Sequence, residues 1–186
     1  STGLSKWCGA GGWRLGYFII PENLKIIGDT LNVLASETFS AVSAPIQYAA
    51  IQAYDKDHTD FINASRNILK SVGKYVHKNL SSNKVLINEP QGGFYLMPEF
   101  VTKKFKSSSE MCKNILKKTG VALLPGSDFG FDKERLIVRL SFTDFNGQNF
   151  MDETKDEHNI SEELIKKFAP KIVEGVDKLK KWSNTL

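Results

Sequence analysis

Apolar residues recur at helical spacing in several stretches, and each stretch predicts an element. Phe61, Ala64, Ile68, Val72, Val76 and Leu80 form one stripe, with Lys70, Lys74 and Lys78 turned to water, so a long helix is expected over residues 60–80, ended by Ser81-Ser82-Asn83. Leu24, Ile27, Leu31 and Leu34 predict a second helix over residues 23–34, with Pro21 and Glu22 suited to its first turn. Residues 45–54 predict a third, with Pro45 near its start. A last helix is expected from about residue 161, carrying Ile165, Phe168, Ile172, Val176 and Leu179 on one face. Short apolar runs closed by turn residues predict strands. They are residues 17–20, read as a buried strand closed by Pro21, then 85–87, 92–98, 121–124 and 136–142. Ser107-Ser108-Ser109-Glu110 opens a further helix carrying Met111, Ile115 and Leu116, with Gly120 as its C-cap. Residues 143–159 are polar and acidic and read as an inserted surface loop.

Strands alternating with helices predict an α/β or α+β layer. The polar break Asp55-Lys56-Asp57-His58-Thr59 sets an expected domain boundary, with one domain over residues 1–57 and a second over 58–186. A chain of 186 residues is long enough for one good domain or two small ones. Its 41% hydrophobic and 25% charged residues are ordinary for a soluble fold. The net charge of +4 is spread along helices and loops, so the lysines read as solvated faces and no nucleic-acid partner is expected. No apolar run is long enough to span a bilayer, so no membrane partner is expected either. Two cysteines, Cys8 and Cys112, make no disulfide framework and suit a reducing compartment, so the expected location is cytoplasmic. His58, His77 and His158 are scattered, with no metal-ligand spacing, and no metal is expected.

The candidate chemistry is concentrated in residues 3–16, Gly-Leu-Ser-Lys-Trp-Cys-Gly-Ala-Gly-Gly-Trp-Arg-Leu-Gly. Lys6 sits beside a small residue, Ser5, and ahead of a glycine-rich run that lets a planar molecule approach the backbone. Arg14 offers a planar fork of donors suited to a phosphate. An amine to bond an aldehyde, together with a cation to hold a phosphate tail, is what a Schiff-base cofactor requires. A second candidate is Arg139, an arginine within the apolar run Leu-Ile-Val-Arg-Leu-Ser-Phe at 136–142. A charge in a buried strand needs a partner: either a nearby Asp or Glu, or a ligand carboxylate held by the guanidinium fork.

Residues 3–16 closely resemble the pyridoxal-phosphate attachment site of the class I/II (fold-type I) aminotransferases: small, apolar, small, Lys, then small and apolar positions, then Arg, apolar, Gly. The resemblance implies that Lys6 is the catalytic lysine that bonds the cofactor aldehyde, and that Arg14 binds the phosphate of pyridoxal 5′-phosphate. Val-Arg-Leu-Ser-Phe at 138–142 and Pro-Gly-Ser-Asp-Phe-Gly at 125–130 also resemble the family, in family order. They imply that Arg139 binds the substrate α-carboxylate. By the same resemblance Phe94 either lines the substrate pocket or is a plain core aromatic. Many relatives place a serine three residues before the lysine, in touch with the phosphate, where this chain has Gly3.

The implied fold is the C-terminal part of the aminotransferase fold: the end of the large domain, a long linking helix and a small αβ domain. The implied activity is transfer of an amino group between an amino acid, with aspartate favoured, and a 2-oxo acid, in a protein that is a homodimer when complete. The attachment motif also serves C–S β-lyases and synthases, and a non-catalytic fragment is a further alternative.

Overall fold

The computed structural model describes residues 1–154 and 159–186; His158 lies outside them. Two glycines set the first strand pair. β1 (Thr2–Gly3) runs antiparallel to β2 (Gly16–Tyr17), with Gly3 opposite Gly16. A Cβ on Gly3 would stand 2.8 Å from the Leu15 carbonyl oxygen, and one on Gly16 would stand 3.1 Å from that of Thr2. The pairing therefore needs bare backbone at Gly3, and a side chain at Gly16 would crowd the opposite strand. Between the strands lie a single helical turn, α1 (Leu4–Trp7), and a 3-10 turn over Gly11–Trp13.

The chain divides after Ile62 into two units, Ser1–Ile62 and Asn63–Leu186. In the first, α2 (Lys25–Thr38) and α3 (Ala44–Asp55) follow the strand pair. α2 starts later than expected because Glu22–Leu24 form a 3-10 turn. It also runs further, with the Ser36 and Thr38 hydroxyls donating back to the carbonyls of Val33 and Leu34. The expected buried strand over residues 17–20 is not what forms. Only Gly16–Tyr17 pairs, and Phe18 and Ile19 are exposed, Ile19 by 83%. β2 has a single two-residue neighbour, and no other strand among the described residues pairs with it. The α2 stripe is likewise open, with Leu34 56% exposed, and only Gly28 of that helix is buried.

α4 (Thr59–Leu80) forms as the periodicity predicts. Its entry is fixed by Asp57, whose carboxylate accepts from the Thr59 amide at 2.9 Å and the Thr59 hydroxyl at 2.6 Å. Those bonds hold the Asp57 carboxyl below its ordinary range. In the second unit Ile68, Val72, Val76 and Leu80 of α4 are buried in a continuous core. β3 (Val85–Leu86) pairs antiparallel with β5 (Glu99–Phe100), while β4 (Tyr95–Leu96) precedes β5 in the chain. α5 (Ser108–Thr119) is capped as expected: the Ser107 hydroxyl accepts from the Glu110 amide, and Gly120 closes the helix at φ 76°. β6 (Leu124–Pro125) and β4 both pair antiparallel with β7 (Val138–Ser141), giving the order β4-β7-β6. Strands and helices thus make an α+β arrangement in this unit.

Two expectations are corrected here. The supposed surface loop contains α6 (Gly147–Thr154), in which Phe150 is fully buried against Phe145 and Phe168 at 5.5 and 5.4 Å. An aromatic placed to reach the core outweighs the polar residues around it. The single last helix is two, α7 (Glu162–Phe168) and α8 (Pro170–Ser183). Pro170 has no N–H to continue α7 and instead opens α8 in its first turn. Trp182 of α8 donates its indole N–H to the Asn114 side chain of α5 at 3.1 Å and packs edge-on to Phe100 at 5.5 Å. Among the described residues no helix is long and apolar enough to cross a membrane.

Candidate active site

Lys6 and Arg14 are carried by one hairpin in the first unit. α1 is short and has no side-chain cap, so its geometry comes from the chain around it. The Leu4 amide donates to the Leu15 carbonyl at 3.1 Å, and the Leu4 carbonyl accepts from the Ala10 amide at 3.1 Å and the Cys8 thiol at 3.0 Å. Leu4 is buried while Lys6 is exposed. The turn is thus pinned through Leu4 and presents Lys6 outward.

Arg14 has φ 56° and ψ 44°, the left-handed conformation that costs an L side chain about 1 kcal/mol. One guanidinium nitrogen donates to the Gly11 carbonyl at 3.0 Å, folding the side chain back over the glycine turn. Among the described residues no carboxylate forms an ion pair with Arg14. Its remaining N–H groups are donors without an anionic acceptor. An outward amine and an uncompensated guanidinium on one hairpin make a donor set that suits an aldehyde with a phosphate tail. At Gly3 the structure explains the departure from the pattern of many relatives, because any side chain there collides with the Leu15 carbonyl.

Arg139 lies in the second unit, on β7. Alternation along that strand buries Val138 and Leu140 and turns Arg139 and Ser141 to the other face. The run is therefore buried on one face only, and Arg139 is half-buried. No Asp or Glu among the described residues forms an ion pair with it. Its guanidinium is held instead by two rings, Phe129 at 4.1 Å and Tyr95 at 4.5 Å from their centroids. Rings contact the faces of a guanidinium and leave its N–H edge available to a carboxylate. The Pro-Gly-Ser-Asp-Phe-Gly stretch supplies one of these rings. Its 3-10 turn (Gly126–Phe129) needs Gly126 because a Cβ there would stand 2.9 Å from the Ile137 backbone oxygen. Phe94 is partly buried, packs on the core, and lies 4.4 Å from the Tyr95 ring.

The ring pair around Arg139 was not foreseen from sequence. Its signal is an aromatic in the strand paired with β7 and another in the turn that feeds it. Cys112 is a poor nucleophile: burial, then the charge of Asp128, pushes its thiol up to about 11, so it is protonated at neutral pH.

The chain is 30% identical over 149 residues to the aspartate aminotransferase of Sulfolobus acidocaldarius, covering 76% of this chain and 35% of that one. It is 35% identical over 146 residues to the aspartate aminotransferase of Bacillus sp. (strain YM-2), covering 76% and 36%. The chain thus spans little more than a third of the length of these relatives. Among solved structures, the alanine aminotransferase of Pyrococcus furiosus matches with a TM-score of 0.74 at 26% identity, over 99% of this chain and 41% of that one. The aspartate aminotransferase of Thermotoga maritima matches with a TM-score of 0.66 at 26% identity, over 98% and 39%. The family model of class I and II aminotransferases matches residues 1–150, and the chain belongs to that family.

Proposed function

We propose that this chain carries the cofactor-attachment lysine and the carboxylate-binding arginine of an amino-acid aminotransferase. The observation that carries the reading is the glycine-paired hairpin, which carries an outward Lys6 on one turn and a left-handed, uncompensated Arg14 after the next. On this reading residues 1–57 are the end of the large cofactor domain and residues 58–186 the small domain. The complete protein is a cytoplasmic homodimer taking an amino acid, aspartate first among candidates, and a 2-oxo acid.

The family is pyridoxal-phosphate-dependent. That cofactor, when bound, supplies an aldehyde to receive the amino group and a ring to take up the electrons of the broken bond. Lys6 would hold the cofactor through its amine and, released from it, would take the proton from the substrate Cα and pass it to the former aldehyde carbon. Arg14 holds the phosphate with charge-assisted hydrogen bonds. Arg139 pairs its open edge with the substrate α-carboxylate, and Tyr95 and Phe129 fix the plane of that fork.

The test is amino transfer from aspartate to 2-oxoglutarate by the complete protein and its Lys6→Ala and Arg139→Lys forms. The reading expects no turnover from Lys6→Ala and a raised KM for both substrates from Arg139→Lys. Release of a thiol, ammonia and pyruvate from an S-substituted cysteine, without an oxo-acid acceptor, would assign the same residues to a C–S lyase instead.

A further inference from the structure

α1 carries Lys6 on a single helical turn, too short to be stable alone and without a side-chain cap. Leu4 and Trp7, three residues apart, share the inner face of that turn, while Lys6 points elsewhere. Leu4 is buried and fixes one end. The other end is fixed by rings. Trp7 leans on Tyr54 at 5.6 Å and on His58 at 5.8 Å, both tilted, and Tyr54 meets Tyr17 edge-on at 5.5 Å. Tyr54 belongs to α3, His58 precedes α4, and Tyr17 belongs to β2, so the rings run from α1 back to the hairpin's own second strand. The His58 Nε2 atom is buried and has no hydrogen-bond partner. His58 meets Trp7 as a ring tilted by 45°, and its Nε2 adds no polar contact.

We propose that Trp7, clamped by Tyr54 and His58, is a positioning residue for Lys6: the clamp stops α1 from turning about Leu4 and so fixes where the Lys6 amine is delivered. This rests on the reading of Lys6 as the attachment lysine. Rotation of one helical turn about a single anchor moves a neighbouring side chain by ångströms, and displacements of that size cost an oriented reaction one to two orders of magnitude. Tilted and edge-on ring contacts do the holding, so another ring at position 7 or 58 keeps the function and an aliphatic side chain does not.

The experiment treats this chain with pyridoxal phosphate, traps the bonded lysines with borohydride, and reads the ratio of modified Lys6 to modified Lys25 by peptide mass spectrometry. Lys25, at the start of α2, serves as the solvent-exposed reference. The expected ratio is high in the unsubstituted chain, about tenfold lower in Trp7→Leu and Tyr54→Leu, and within about twofold of the original in Trp7→Phe and His58→Phe. Far-UV circular dichroism accompanies each variant. A ratio near one in the unsubstituted chain would overturn the Lys6 reading and this proposal with it. A high ratio left unchanged by Trp7→Leu or Tyr54→Leu would overturn the proposal and leave the Lys6 reading standing. Loss of helical signal in both leucine variants would also overturn it, since the rings would then be holding the unit together without aiming the lysine.

Discussion

α2 and α4 carry the same kind of apolar stripe, yet they end up in opposite environments. The α4 stripe closes a core that includes Val85, Met111, Ile115, Val138, Phe142 and Val176. The α2 stripe, with Ile27, Leu31 and Leu34, stays exposed, and the only buried hydrophobic residues of its unit are Leu4 and Ala50. Periodicity thus fixes which face of a helix is apolar, while burial depends on what lies opposite. The second unit provides its own partners. The first carries the candidate cofactor chemistry on a hairpin held by glycine contacts, one leucine and a few rings. A region of this kind has stability drawn from few contacts and is the more easily opened of the two.

The contrast is broken most directly by truncating one apolar side chain in each unit. Phe150→Ala removes a fully buried ring and is expected to cost about 3–5 kcal/mol in urea unfolding. Leu34→Ala removes an exposed side chain and is expected to stay within about 0.5 kcal/mol. Equal losses would mean that the α2 face is covered in solution.

Arg14 sharpens the contrast between stability and function. Arg14→Gly removes the cost of a left-handed side chain, worth about 1 kcal/mol, and so is expected to leave the melting temperature unchanged or raised. The same change deletes a charged hydrogen bond to phosphate, worth about 1.5–3 kcal/mol, and is expected to weaken pyridoxal-phosphate binding about tenfold or more in an absorbance titration. In the second unit, Phe129→Leu removes one ring from Arg139 and is expected to raise the amino-acid KM severalfold, for a cation–π contact of about 1 kcal/mol, with kcat little changed.

The smallest effect concerns pH. Glu99 accepts two hydrogen bonds from Arg135, at 3.0 and 2.6 Å, and these hold its carboxyl below the usual glutamate value of 4.5. A carboxyl depressed by folding stabilises the native state above its unfolded value and loses that contribution as pH falls through the folded one. Between neutrality and pH 5, Glu99→Gln is therefore expected to show a small, constant deficit in the melting temperature. That deficit should close as pH falls below the usual glutamate value.

The second unit was the more legible from sequence. The α4 stripe, the Ser107 cap and the left-handed Gly120 follow from local rules and appear as expected. Pro170 makes the break between α7 and α8, but the stripe from Ile165 to Leu179 is continuous enough to hide it. α6 was hidden because its polar composition masks one aromatic, Phe150, that reaches the core. At the candidate site, the sequence offered the run Gly9 to Gly12 as room for a planar molecule, whereas the close backbone approach in the structure is the Gly3–Gly16 pairing. What remained out of reach was whatever depends on long-range placement: the two rings over Arg139, and the clamp on Trp7 built from Tyr54 and His58.

The central claim is that Lys6 is the point of cofactor attachment. It is tested most directly by titrating pyridoxal phosphate into this chain and into Lys6→Ala while recording the visible absorption spectrum. The account predicts a saturable band in the unsubstituted chain that is absent from Lys6→Ala. Identical spectra from the two proteins would contradict it.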